Sequence, residues 1–328
     1  SPNHPRWGSL TPQQQAEETA VLDSIRGINT NWEDYIFRNG TFSNHQLSLS
    51  GGSGRTRIYS SVALYNEEGT TLRTDMERIT LRNNIDYNDD KFNLSVSTQL
   101  GYTKRNFQQS TTSNGLGNPF LSSAISVPYH LPYDEAGEFR TGVGAKFAAT
   151  NQLDLTKFDL NYNDQLKATI GITAAYNITD KINASITAGA DYRQTQGVNY
   201  GSKLAFSRRN STSITGRAGF QSESLDRWFT GSVRPMLTYR DKFKDRHDLE
   251  LNLVGEYIRE FSKFFTMTGF GTDPKRPNTM ASIIAANASN QLFHTVGGSK
   301  GESGLLSGLF MARYTLDGKY TLSGSFRR

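Results

Sequence analysis

Read at every second residue, the stretch KFNLSVSTQLGYT at 91–103 separates into two unlike sets. Phe92, Leu94, Val96, Thr98, Leu100 and Tyr102 form one; Asn93, Ser95, Ser97, Gln99, Gly101 and Thr103 form the other. Alternation with period two predicts a strand with two different faces. The strand is longer than the roughly 5–6 residues usual in globular sheets. Its polar face carries small uncharged groups instead of the Lys and Glu of an ordinary wet sheet.

The same device recurs along the chain. In QLKATIGITAAYN, Leu166, Ala168, Ile170, Ile172, Ala174 and Tyr176 oppose Lys167, Thr169, Thr173 and Asn177. In INASITAGADYR, Ile182, Ala184, Ile186, Ala188, Ala190 and Tyr192 oppose Asn183, Ser185, Thr187, Asp191 and Arg193. Ile79, Leu81, Ile85 and Tyr87 share a face opposite Arg78, Thr80, Arg82, Asn84 and Asp86. Further pairs are expected in 43–65, 227–258 and 305–328, for about ten strands. The predicted connections alternate in length. Short ones fall at 51–54, 88–90, 178–181, 240–246 and 316–319; longer ones at 66–75, 104–164, 194–226 and 261–303. Aromatic residues cluster near the strand ends: Tyr65, Tyr87, Tyr102, Tyr176, Tyr192, Tyr239, Tyr257, Tyr314 and Tyr320.

Short turns at one end, long loops at the other and aromatic rims predict a transmembrane antiparallel β-barrel. Lipid offers the backbone no hydrogen bonds, so a spanning sheet must close on itself. A charge facing lipid near mid-membrane costs about 2–4 kcal/mol, and the apolar faces of 92–102, 166–176 and 182–192 carry none. A soluble sandwich also alternates, but its strands are shorter and its loops less regular. Ten strands leave two bare edges, so the rest of such a barrel is expected outside these residues, and both termini read as cut.

Before the strands the pattern is helical. In 11–27, Thr11 is a suitable N-cap, Pro12 suits the first helical position and Gly27 is a natural stop. In 30–40, Thr30 and Glu33 have capping-box spacing and Gly40 is a candidate C-cap. Residues 1–42 are therefore expected to be an extracellular loop region with short helices, and 43–328 to be barrel.

Composition narrows the picture. The chain has 328 residues, 35% hydrophobic, with a net charge of +5 and no cysteine; mean hydropathy is −0.57. Disulfides, thiolate metal sites and cysteine nucleophiles are excluded. No stretch approaches the roughly 20 apolar residues of a spanning helix. The basic charge is dispersed, without a Lys/Arg stripe, which argues against nucleic acid. The opening residues lack a signal-peptide pattern. The histidines (His4, His45, His130, His247, His294) are scattered, without metal-ligand spacing. GVGAK and GGSKGES lack the strand–loop–helix setting of a phosphate loop. The sequons at Asn93 and Asn183 fall on inward strand positions. An enzyme, a metal site and a cofactor are not expected.

Four stretches carry a family resemblance: TNWEDYIFRNGTFSNHQLSLSGGSGRTRIYSSVALYNEEGT at 30–70, RITLRNNIDYN at 78–88, NPFLSSAISVPYHLPYDEAGEF at 118–139 and ARYTLDGKYTLSGSFRR at 312–328. In this order they resemble the SusC/RagA-like TonB-dependent outer-membrane transporters, although the Asp-Gly-Ser-Ser run with which that family usually continues is missing. The resemblance implies a barrel of roughly 22 strands filled by an N-terminal plug that this chain does not include. It also implies a SusD-like surface lipoprotein as partner, energy from TonB–ExbB–ExbD acting on the plug, and an oligosaccharide or peptide as substrate, with outer-membrane lipid around the wall. A barrel scaffold without import and a passive channel are the alternatives.

Candidate binding residues lie in the longest connection: Phe120, Tyr129, His130, Tyr133 and Asp134. Rings stack on sugars or pack peptide side chains, and Asp and His direct hydrogen bonds; the same rings could equally pack the loop onto the rim. The loop 261–303, with FFTMTGFGTDPKRP at 264–277, is expected to pack as a simple loop, with covering the mouth or touching a partner as the alternative. Arg78, Arg82, Asp86, Lys167, Asp191, Arg193, Arg234, Glu250 and Glu256 are expected on the inner face. There they would line water or pair with the plug.

Overall fold

The computed structural model describes residues 3–108, 117–141, 151–209 and 211–328; the GVGAK segment lies outside them. Ten strands form one antiparallel sheet in sequence order. They are β1 (Thr41–Ser53), β2 (Thr56–Glu68), β3 (Asp75–Asn88), β4 (Phe92–Asn106), β5 (Leu160–Asn177), β6 (Ile182–Gly201), β7 (Phe220–Phe243), β8 (His247–Phe270), β9 (Thr295–Leu316) and β10 (Tyr320–Arg327). Among the described residues six short α-helices lie outside the strands: α1 (Pro12–Arg26), α2 (Glu33–Ile36), α3 (Pro119–Ile125), α4 (Gln152–Phe158), α5 (Phe206–Arg209) and α6 (Ile214–Ala218). No described helix is long and apolar enough to cross a membrane.

The register confirms that each apolar set shares one face. Leu47, Val62, Leu81 and Leu100 form one lateral row. Thr98, Ile170, Ala190 and Gly231 form another. Large apolar side chains stand exposed along this outer face, including Leu47, Leu81, Leu100, Ile170, Ile186 and Leu253. Among the described residues no second layer covers them, so the sheet is one wall with no packed core on that side.

Outward aromatics fall in two belts. Tyr87, Phe92, Tyr176, Tyr239, Tyr314 and Tyr320 mark the short-turn end; Tyr102, Tyr192, Phe229, Tyr257 and Phe261 mark the other. Tyr102 lies ten residues beyond Phe92. That span is about 33 Å along the strand, or about 25 Å along the normal at a tilt near 40°, the height of a barrel's apolar band. Tyr65 is the exception to the expected rim. It pairs with Arg78 on the inner face, where the guanidinium lies 5.1 Å from the ring centroid.

Several sequence boundaries move. Gly51 and Gly52 lie inside β1, and the turn is at Gly54, whose φ is +56°. Strands β6 to β9 run well past the upper belt, so the connections shrink to 202–219 and 271–294, and residues 264–270 belong to β8. Above the belt both faces of the wall meet water, so alternation fades while the backbone ladder continues. Thr11 caps α1 in a reciprocal capping box with Gln14. The box expected at Thr30 and Glu33 is not formed: Trp32 is the N-cap of α2, and that helix ends at Phe37, short of Gly40.

Candidate functional site

The long-loop end is a crown of interlocked segments. Trp32 is buried at the start of α2, with its ring stacked on His130 at 5.6 Å and 21°. Its indole N–H donates to the Val127 carbonyl at 3.2 Å, and the Thr30 N–H donates to the Pro128 carbonyl at 2.7 Å. Further ring contacts follow: Tyr35 with Tyr133, Tyr133 with Phe139, and Phe37 with Phe120 at 5.6 Å. These contacts tie the segment before β1 to the loop between β4 and β5.

The five candidate binding residues therefore have different surroundings. His130 is buried, and among the described residues its Nε2 has no hydrogen-bond partner. Burial first, then the nearby Arg140, pushes its pKa below the ordinary value. The Asp134 carboxylate accepts from the backbone N–H groups of Ala136 and Glu138, both at 2.9 Å, and so shapes its own turn. Tyr129 is half-buried. Phe120 and Tyr133 are exposed on the crown's surface. The structure gathers these residues onto one loop, but only Phe120 and Tyr133 present open ring surface.

A second lock joins the loops above β5 to β7. The Asp159 side chain is 1% exposed and forms an ion pair with Arg208. It also accepts from the Ser202 N–H at 2.9 Å. Arg208 lies over the Phe220 ring at 4.9 Å. Burial raises the Asp159 pKa even against Arg208. Asp154, whose carboxylate accepts from the Phe206 N–H at 2.7 Å, is raised by burial as well. Arg73 closes the lock by donating to the carbonyls of Thr156, Lys157 and Asp159 at 2.6, 3.2 and 3.1 Å. A cation suits these unpaired carbonyls at the C-terminus of α4. Sequence reading missed Arg73, Asp159 and Arg208, because no local spacing marks partners 49 or 86 residues apart.

The register sets Arg78, Arg82, Asp86, Lys167, Asp191, Arg193, Arg234, Glu250 and Glu256 on the face opposite the apolar rows. Lys167 and Asp191 pair at 3.7 Å, and Thr169 donates to Asp191 at 2.8 Å. Arg82 donates to Gln99 at 3.0 Å, and Ser95 donates to Asp86. Arg193 lies over Trp228 at 5.6 Å. Glu250 pairs with Arg240 and Glu256 with Arg327. Arg78, Arg82, Arg105 and Lys167 line a wide inner recess of about 460 Å³. These ion pairs are largely exposed, where such pairs are worth about 0–1 kcal/mol. No cluster among the described residues could hold a metal ion.

No protein-family model matches the chain. TonB-dependent receptor P39 of Formosa agariphila is 21% identical over 337 residues, covering 98% of this chain and 29% of that protein. TonB-dependent receptor P3 of the same organism is 26% identical over 200 residues, covering 56% of this chain and 20% of that protein. Among solved structures, the RagAB peptide transporter superposes with a TM-score of 0.78 at 17% identity, over 98% of this chain and 37% of that one. In fold, the sheet matches part of the barrel wall of these TonB-dependent receptors. The closed–closed state of the RagAB importer matches with a TM-score of 0.73 over 92% of the chain. The two aromatic belts bound the exposed apolar band of this wall. The chain spans 20% and 29% of the length of the two curated relatives it matches.

Proposed function

We infer that the whole protein is a TonB-dependent importer that takes up peptides or oligosaccharides, with its long-loop end facing outside. The observation that carries this reading is the inner wall. It is polar, bears both signs of charge, and joins them through exposed, individually weak pairs. Such a surface suits a plug that must be held and then shifted by an outside force, as TonB with ExbB and ExbD would do. A greasy lumen would lock a plug in place. Residues 1–42 then belong to the extracellular side. The crown, with Phe120 and Tyr133 on its surface, meets substrate or a SusD-like lipoprotein; Tyr129, His130 and Asp134 shape the same loop.

The test is uptake by cells carrying the full-length receptor, supplied with fluorescently labelled peptide and oligosaccharide pools. Import predicts accumulation of one pool, abolished when the proton gradient is dissipated. A scaffold would accumulate neither pool, and a passive channel would be indifferent to the gradient. Either result would refute the reading.

A further inference from the structure

The outer face carries a group of charges that the band does not account for. Arg227, Lys263 and Lys300 are lateral neighbours on β7, β8 and β9. Neighbouring strands lie about 4.8 Å apart, so the three cations fall within about 10 Å. All three are exposed. Like charges directly opposite one another destabilise a sheet. Among the described residues none of the three has a carboxylate in ion-pair range. Arg227 donates to Gln194 at 3.1 Å, which extends the row to β6 as a neutral polar position. Glu302, on the same face, is already paired with Arg259.

Height decides what meets this row. Phe229 and Phe261 touch at 6.4 Å in the upper aromatic belt. Arg227 and Lys263 each lie two residues beyond them. That is about 5 Å further from the membrane centre at the strand rise and tilt used above. The cations therefore sit just outside the hydrocarbon, where lipid headgroups begin. Basic residues near an anionic surface each contribute about 1 kcal/mol of attraction.

We propose that Arg227, Lys263 and Lys300 form a binding site for the phosphate groups of an anionic lipid in the outer leaflet. The row takes phosphate laterally, with the acyl chains lying along the apolar band below Phe229 and Phe261. Three cations in a line match a headgroup bearing more than one phosphate better than a single monoanionic one. The site rests on the orientation proposed above, which protease access to the long loops on intact cells checks independently, and it does not depend on import.

The experiment uses full-length receptor in detergent, titrated with diphosphoryl lipid A and read by native mass spectrometry. The triple variant R227Q/K263Q/K300Q should lose about tenfold or more in bound lipid A. The control K91Q/K319Q, at the short-turn end, should match wild type. Millimolar inorganic phosphate should not displace the lipid, because the chains add their own apolar contact. Heat-modifiable gel migration reports folding of each variant, and the single variant K263E should weaken binding more than K263Q. Undiminished lipid A on a folded triple variant would overturn the proposal. So would displacement by free phosphate, which would mark a site for the anion alone.

Discussion

Placing Ile170 in hydrocarbon has a measurable consequence for the full-length receptor. Ile170 sits on the outer face of β5, opposite Thr98 and Ala190. It lies six residues from Tyr176, in the short-turn belt, and four from Leu166, which pairs with Tyr102 in the other belt. Those separations are about 15 Å and about 10 Å along the normal. Ile170→Arg puts a guanidinium near the middle of the band, at a cost of about 2–4 kcal/mol. Ile170 is 43% exposed within the wall, so the packing lost with it is small, and the arginine stem replaces part of that packing. A loss of about 3 kcal/mol corresponds to roughly a 150-fold shift in the folding equilibrium. Thr173→Arg is the matched control on the inner face, opposite Ser95 and Thr187, and should change stability by less than about 1 kcal/mol. Reversible urea unfolding in lipid vesicles, followed by heat-modifiable gel migration, reads both. If the outer arginine costs no more than the inner one, the face assigned to lipid is wrong.

Three further outcomes test the crown. His130 has a depressed pKa when docked, so the undocked loop takes up its proton first, and docking weakens as pH falls below about 6.5. Trp32 fluorescence should report this loss, and His130→Gln should make the response flat. Asp159→Ala leaves Arg208 buried without its partner and should cost about 3 kcal/mol of local stability, seen as faster proteolysis within 202–219. Gly219 has φ +72° and ψ 170°, and an added Cβ would lie 2.5 Å from Thr272 Oγ1 and 2.8 Å from the Gly201 carbonyl oxygen. Gly219→Ala should therefore cost about 2 kcal/mol, measured as lost protection from hydrogen exchange at the ends of β6 and β7.

How much of this was legible in the sequence follows the solvent. Within the band lipid lies on one side and water on the other, and residues such as Ile170 and Thr169 record the difference one by one. Above the belt that contrast ends. Phe264 and Phe265 occupy opposite faces of β8 with no pattern to announce a strand, so its upper half read as loop. Glycine misled in a related way. Gly51 and Gly52 look like a turn, but Gly52 is needed because a Cβ there would lie 2.7 Å from the Thr56 carbonyl oxygen. The crown was the least legible part. Trp32 meets His130, and Asp159 meets Arg208, only after distant segments have been brought over the rim, and one-dimensional spacing does not encode such a meeting.

The strictly sequential order of the sheet bears on how the protein comes to be built. Among the described residues every strand hydrogen-bonds only to its chain neighbours, and five of the nine joints are tight turns. The entropy lost in closing such joints is small and grows slowly with loop length. Insertion can thus proceed one hairpin at a time, each arriving beside an edge already in place. The segments over the rim can fasten only once their distant partners along the chain are in place.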